Sequence, residues 1–206
     1  MDGRLADLAG LAGGYAIGSI PIGVLVSRLA QGLDVRDHGS GSMGTTNVFR
    51  IIGPGAAALT FALDVGKGAS AVTLARRLGA SEAGAAAAGL AAAVGHSWPA
   101  LARFRGGKAV ATAFGALLLV TPTGSVVAIG VGLSALAATR IVSVGSLAAA
   151  AGAAAGGAYE SAVTGRRVPL GFTVAALALV TWRHRANIAR LMRGTEPRLG
   201  IKRTAS

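Results

Sequence analysis

Long apolar runs, strung one after another with almost no charge inside them, restrict most strongly how this chain can fold. They cover residues 5–30, 51–74, 83–94, 109–120, 126–138, 141–158 and 168–182. A helix needs about 20 apolar residues to cross the hydrocarbon core of a bilayer, with a range of roughly 17–25. Several runs are shorter, so short, tilted or partly re-entrant helices belong to the expectation. Of the 206 residues, 52% are hydrophobic before the 32 glycines are counted, and only 14% are charged. A soluble surface carries roughly 25%. Such a chain is not disordered, and the absence of Cys removes disulfides, thiolate metal sites and cysteine nucleophiles. The expected architecture is an all-α polytopic integral membrane protein with about seven transmembrane helices. It forms a single transmembrane domain over residues 1–200, with residues 201–206 as a cytoplasmic tail. Residues 5–30 lack a basic start and a small-residue cleavage site, so they read as one retained helix rather than a signal peptide.

The net charge is +12, from 20 Lys and Arg against 8 acidic residues. With seven crossings, 14 of the basic residues fall on one side and 5 on the other, and Lys67 lies inside a run. The positive-inside rule then puts the N-terminus outside and the C-terminus in the cytoplasm. Because these charges edge apolar runs instead of forming a soluble basic face, nucleic acid is not an expected partner. Three isolated His residues without Cys or clustered carboxylates make no metal site. Asp64 and Lys67 stand three apart inside one run and are expected to pair, since an intramembrane charge without a partner is expensive. The series Gly10, Gly14, Gly18 and the pair Gly152, Gly156 have the four-residue spacing that lets helix backbones approach closely in lipid. The two halves show too little similarity for an inverted-repeat transporter.

Three polar segments carry the candidate chemistry, and all fall on the cytoplasmic side of this topology. The first contains Gly39, Ser40, Gly41, Ser42, Gly44, Thr46, Asn47 and Arg50. Its formal G-x-G-x-x-G lacks the surrounding βαβ unit of a dinucleotide site. Exposed backbone N–H groups with short polar side chains nevertheless suit a phosphate; a turn capped by Thr45 or Asn47 is the plainer alternative. The second runs from His96 through Gly106, Gly107 and Lys108 into an apolar run. It is not a Walker A loop, because Ala102 stands where the first Gly belongs and Ala109 where Ser or Thr belongs. Its basic residues serve equally well as positive-inside anchors. In the third, His184 and Asn187 are three apart and share a helix face, near Arg183 and Arg190.

Taken in order, G-S-G-x-x-G-x-T-N-x-x-R, L-D-x-x-K-G, G-H-x-x-P…F-x-G-G-K-x-V-A-T and R-H-x-x-N-I resemble the PlsY-type acyl-phosphate:glycerol-3-phosphate acyltransferases of bacteria. The likeness extends from Gly18 to Gly200 and includes Gly18-Ser19-Ile20-Pro21 and Gly194-Thr195-Glu196-Pro197. It implies an enzyme of the bacterial inner (plasma) membrane with its active site on the cytoplasmic side and no cofactor. That enzyme would move a fatty acyl group from acyl phosphate to the 1-hydroxyl of glycerol 3-phosphate, giving lysophosphatidate and phosphate. On this resemblance Ser40, Thr46, Asn47 and Arg50 position phosphate and carbonyl groups, with Gly39, Gly41, Ser42, Gly44 and His96 in the phosphate-binding set. Gly106, Gly107 and Lys108 hold a second phosphate and stabilise the leaving group, and His184 and Asn187 bind glycerol 3-phosphate. Two positions depart from the family: Ser42 replaces Asn, and Ala109 replaces Gly, which is expected to exclude a positive φ there. No His-x-x-x-x-Asp pair follows His38, His96 or His184, in keeping with a donor other than acyl-CoA or acyl carrier protein. A permease for a phosphorylated solute, or a membrane scaffold, is the competing expectation.

Overall fold

A computed structural model describes residues 2–200, so the expected tail at 201–206 lies outside the described residues. Ten α-helices and two 3-10 turns make up the regular structure, with no strand among the described residues. The helices are α1 (Gly3–Gly18), α2 (Ile22–Gln31), α3 (Thr45–Ile51), α4 (Pro54–Arg77), α5 (Glu82–Ser97), α6 (Val110–Val120), α7 (Pro122–Thr139), α8 (Val142–Thr164), α9 (Val168–Arg183) and α10 (Arg185–Met192). Three stretches, Gly3–Gln31, Pro122–Thr139 and Val142–Thr164, are by length and composition able to cross a membrane. The most extensive contacts pair α7 with α8, α1 with α5, and α4 with α6.

The first apolar run is not one helix. It breaks at Ser19-Ile20-Pro21 into α1 and α2, because Pro21 supplies no N–H and biases Ile20 away from the helical region. The break leaves carbonyls without helical donors, and Lys67 of α4 takes two of them, Gly18 at 3.1 Å and Ile20 at 3.0 Å. The second run likewise starts later than expected. Residues 51 and 52 end α3, Gly53 turns the chain at φ 122°, and Pro54 opens α4 at a position where its missing N–H costs nothing. Ser81 caps α5 by accepting from the Gly84 N–H at 3.0 Å.

The bundle is sorted by size more than by polarity. Its buried centre is largely Ala, with Val72, Leu117 and Phe172 among the few larger members, while Leu8, Leu29, Val126, Leu133 and Val163 face outward. A water-soluble bundle buries its Leu; this arrangement fits a protein whose exterior meets lipid and whose helices are held by close packing. A side chain at Gly14 or Gly18 would run into the Ala88 or Ala92 carbonyl of α5, and one at Gly68 into the Thr112 carbonyl of α6. Gly152 and Gly156 lie against α7 in the same way. At successive levels Asp64 lies beside His96, and Val72 and Ala116 crowd Gly89. The helices therefore alternate in direction, and the N-terminal parts of α4, α6 and α8 share one face with the C-terminal ends of α5 and α9.

Gly68→Val is expected to force α4 from α6 and lower stability by about 3 kcal/mol or more. Gly66→Ala, with open space around its Cβ, should stabilise α4 by up to about 1 kcal/mol. Thermal unfolding in detergent reads both; equal melting temperatures for the two variants would contradict the close-crossing account.

Candidate active site

On that shared face a cavity of about 740 Å³ is lined by Ser40, Thr46 and Arg50 from the first loop and α3, Lys108 ahead of α6, Ser143 of α8, and His184, Asn187 and Glu196. Each wall is built by a different device. In the first loop the side chain of Asn47 is the scaffold. Its amide donates to the carbonyls of Val35 (2.8 Å), His38 (3.0 Å) and Ser42 (2.9 Å), and its oxygen accepts from the Ser40 N–H at 3.0 Å. Asn47 reaches the cavity wall as well, and its polar atoms at the same time organise the loop. Gly39, at φ 60°, must be glycine, since a Cβ would overlap Asn47 Oδ1. Gly39, Ser42 and Gly44 reach the cavity wall and Gly41 does not. The Ser42 hydroxyl accepts from the Gly44 N–H at 3.2 Å, and α3 starts at Gly44 with no side-chain cap from Thr45 or Asn47.

The first loop is tied to the second by Arg36, which donates to the Ala102 carbonyl at 2.7 Å. Its other edge pairs with Asp34 at 2.7 Å. Hydrogen bonding from Arg36 holds the Asp34 carboxyl down at about 2. Around Lys108 the second loop departs from expectation twice. Gly106 and Gly107 do not line the cavity; they pack behind it. The Gly107 N–H is spent on the His96 carbonyl at 3.0 Å, and a Cβ on Gly106 would strike that carbonyl. Ala109 adopts φ 60°, the left-handed conformation its side chain was expected to forbid. A non-glycine residue there costs roughly 1–2 kcal/mol, which packing offsets: Ala109 is buried with Ala93 and Ala113. The Gly107 carbonyl accepts from Arg183 Nε at 2.9 Å, and that guanidinium lies 4.9 Å from the Trp98 ring centre. Gly107, the residue before Lys108, is therefore gripped at both its N–H and its carbonyl. Burial, reinforced by Arg190, Arg50 and Arg183 and opposed by Glu196, lowers the Lys108 ammonium to about 8.

His184 sits at the α9–α10 junction, 2% exposed. Its Nδ1 lies 2.8 Å from the Val180 carbonyl, which can only accept, so Nδ1 carries the proton and Nε2 is left as an acceptor. Burial and the nearby Lys108 charge push this imidazole down to about 4, so it is neutral at physiological pH. Glu196, within Gly194-Thr195-Glu196-Pro197, has no task that its sequence context assigns, yet it organises this wall. Glu196 accepts from Asn187 (2.5 Å), Ser143 (2.7 Å) and Arg190 (2.6 Å). Burial alone would raise its carboxyl; those donors outweigh it and hold the group below the ordinary carboxylate range. An acid flanked by Gly and Pro beyond the last helix was the available signal. The tail returns because the Leu199 N–H bonds the Arg140 carbonyl at 2.7 Å.

Asp64 and Lys67 form the expected pair at 2.9 Å, and His96 joins them with Nδ1 3.3 Å from Asp64. Asp64 and His96 both reach the cavity wall. A second cavity, about 420 Å³ and almost wholly apolar, runs between α6, α7, α8 and α9 as far as Leu117, Ala128, Ala153 and Phe172. It shares Phe61, Val110, Ala111, Val142 and Ser146 with the polar one. Of these two neighbouring cavities one offers charge and hydrogen bonds, and the other almost only hydrocarbon.

The family profile described as glycerol-3-phosphate acyltransferase matches residues 8–194. A glycerol-3-phosphate acyltransferase of Synechococcus sp. (strain CC9902) is 45% identical over 199 residues, covering 96% of this chain and 98% of the relative. Another, of Symbiobacterium thermophilum, is 47% identical and covers 92% of each. Among solved structures, PlsY, an integral membrane glycerol 3-phosphate acyltransferase, superposes in its glycerol 3-phosphate form with a TM-score of 0.85 at 34% identity, covering 94% of this chain and 96% of that one.

Glu196→Ala should release Asn187 and Arg190 together and lower stability by about 1–3 kcal/mol, measurable as a fall in melting temperature. His184 should resist protonation until the pH nears 4. The unfolded chain takes up that proton near pH 6.5, so the stability His184 contributes is whole above 6.5 and drains away as the pH falls towards 4. Imidazole NMR signals titrating at the ordinary value would contradict its burial.

Proposed function

The chain belongs to the glycerol-3-phosphate acyltransferase family, and from that premise we propose that its acyl donor is a fatty acyl phosphate and its products are lysophosphatidate and inorganic phosphate. The observation that carries this reading is the adjacency of a basic, hydrogen-bonding cavity and an apolar slot inside the bundle, which share wall residues. A donor with a phosphate at one end and a hydrocarbon chain at the other matches that space. Each methylene kept out of water contributes about 0.8 kcal/mol, so the tail stays in the slot or the surrounding lipid. The acceptor is a soluble dianion that enters from water at the polar end. The same reading takes α1 and α4 to α9 as seven crossings of the bacterial inner membrane, with the N-terminus outside and the cavity open to the cytoplasm. The bias of basic residues towards the cavity face supports that orientation.

An acyl phosphate is already activated, so catalysis rests on positioning and charge stabilisation. The 1-hydroxyl oxygen of glycerol 3-phosphate attacks the acyl carbon. A carbon–oxygen bond forms, the bond from that carbon to the phosphate oxygen breaks, and phosphate leaves with its electron pair. The hydroxyl proton passes to a phosphate oxygen. His184 accepts a hydrogen bond from the hydroxyl through bare Nε2 and orients it; with a value of about 4 it is too weak a base to keep the proton. Asn187 acts beside His184, held in place by Glu196. Ser40, Thr46 and Arg50 hold one phosphate, while Lys108 and His96 serve the other and the departing charge. The transfer is direct, without an acyl-enzyme.

Purified protein given palmitoyl phosphate and labelled glycerol 3-phosphate should form lysophosphatidate, and palmitoyl-CoA should not replace the donor. Lys108→Ala should lower kcat/KM by about 10²–10³-fold. Because free Lys108 loses its proton near pH 8, kcat/KM should fall as the pH rises through that value, and Lys108→Arg should remove that limb. Product formation from palmitoyl-CoA alone, or an acyl-Ser40 adduct trapped with palmitoyl phosphate alone, would overturn the proposal.

A further inference from the structure

Lys67 and Asp64 are buried, 5% and 1% exposed, and the transfer just described gives neither of them a task. The Lys67 ammonium has three protons and three neighbours in hydrogen-bonding geometry, the Gly18 carbonyl at 3.1 Å, the Ile20 carbonyl at 3.0 Å and His96 Nδ1 at 3.1 Å, while Asp64 Oδ1 at 2.9 Å is an ion-pair partner without a hydrogen bond. An ammonium has protons to give and no lone pair to receive one. Towards His96 it can only donate, so Nδ1 must be bare and the ring proton must sit on Nε2. The other tautomer would send an Nδ1 proton towards Asp64 at 3.3 Å while the ammonium faced the same nitrogen from 3.1 Å, setting donor against donor. Nε2 is at the far edge of the ring, against Gly107, where a Cβ would overlap it. His96 lines the polar cavity beside Lys108.

We propose that Lys67 is a positioning residue that fixes His96 in the Nε2–H tautomer, making His96 a neutral hydrogen-bond donor to an anionic oxygen in the cavity. Asp64 supplies the countercharge that keeps Lys67 an ammonium, and the carbonyls freed by the α1–α2 break aim it. The identity of the oxygen, on a phosphate or on the acyl carbon in transit, rests on the acyl-phosphate reading; the tautomer does not. His184 is set the opposite way, with Nδ1–H spent on the Val180 carbonyl and Nε2 bare. Two imidazoles of opposite tautomer thus line one cavity. One is fitted to receive a hydrogen bond from a hydroxyl and the other to give one to an oxyanion. The same contact gives Gly107 a second reason to lack a side chain, since any Cβ there would displace the donating nitrogen.

The chain has three histidines, so ¹⁵N-histidine labelling of the intact protein in micelles resolves each ring, with His38→Gln and His96→Gln assigning the signals. The expected spectrum at neutral pH shows His96 with Nε2 protonated and Nδ1 bare, and His184 with the reverse. In Asp64→Asn/Lys67→Met, which removes both charges together, the Nε2–H preference of His96 should be lost. Inorganic phosphate should bind His96→Gln, whose amide nitrogen reaches towards the Nε2 position, within about threefold of the parent protein. His96→Asn, whose amide falls short, should bind it about tenfold more weakly, as expected for a lost hydrogen bond to an anion. A protonated Nδ1 on His96 in the unaltered protein, or equal phosphate affinity in both variants, would overturn the inference. The tautomer is read without substrate, so failure of acyl transfer would leave it standing, and failure of the tautomer would leave acyl transfer standing.

Discussion

Contact between one helix backbone and the next, made at glycine, is the interaction on which the remainder of this structure depends. In lipid the outside of a helix gains nothing by turning inward, because hydrocarbon surrounds it on every side. Dispersion between closely fitted surfaces has to supply the attraction, and it falls off within a fraction of an ångström of optimal contact. Gly14 and Gly18 let α1 lie on the carbonyls of α5, and Gly68 does the same between α4 and α6. An Ala-filled interior and a Leu-studded exterior follow from that rule. So does the apolar slot, since small residues on facing helices leave room wherever the helices diverge.

Close packing also explains how charged groups come to be held deep in the bundle. Pro21 breaks the first helix and leaves the Gly18 and Ile20 carbonyls without helical donors, the second meeting no backbone donor but the Ile22 N–H at 3.0 Å. Lys67 answers them, Asp64 answers Lys67, and His96 completes the cluster at the end of α5. From His96 the order passes to Gly107 and so to Lys108. On the opposite wall Glu196 of the returning tail gathers Ser143 of α8 and Asn187 and Arg190 of α10. The cavity is therefore walled by side chains already engaged with one another, the preorganisation that electrostatic catalysis requires.

How much of this was legible in the sequence varies by element. The later apolar runs appear as helices within a few residues of their expected bounds, because period and composition act locally. The first run was misread where one Pro outweighed its neighbours, and α4 began late for a similar local reason at Gly53-Pro54. Among site residues, Ser40, Arg50, Lys108, His184 and Asn187 do meet at one cavity. Gly106 and Gly107 were mistaken for ligand-facing groups because a Gly-Gly-Lys turn exposes N–H groups when nothing packs on it, and here His96 does. Ala109 was expected to refuse a positive φ; intrinsic preference there is a matter of roughly 1–2 kcal/mol, which burial among Ala93 and Ala113 can exceed. Glu196 carried no motif logic of its own, and its importance lies wholly in the side chains that converge on it.

By itself the amino-acid sequence determined the environment this chain lives in, its helical class, and the chemistry its polar segments can offer. Those properties depend on composition, on spacing along one helix, and on which residue types lie near each other in the chain. Only the tertiary structure decided which of those groups face the cavity and in what form. The proton positions of His96 and His184, the lowered value of Lys108, and the scaffolding bonds of Asn47 all depend on partners beyond the immediate sequence neighbours or on burial. Hydrogen bonding and desolvation act over a few ångströms of space, and the distance along the chain between Lys67 and His96, or between Ser143 and Glu196, says nothing about the separation that folding gives them.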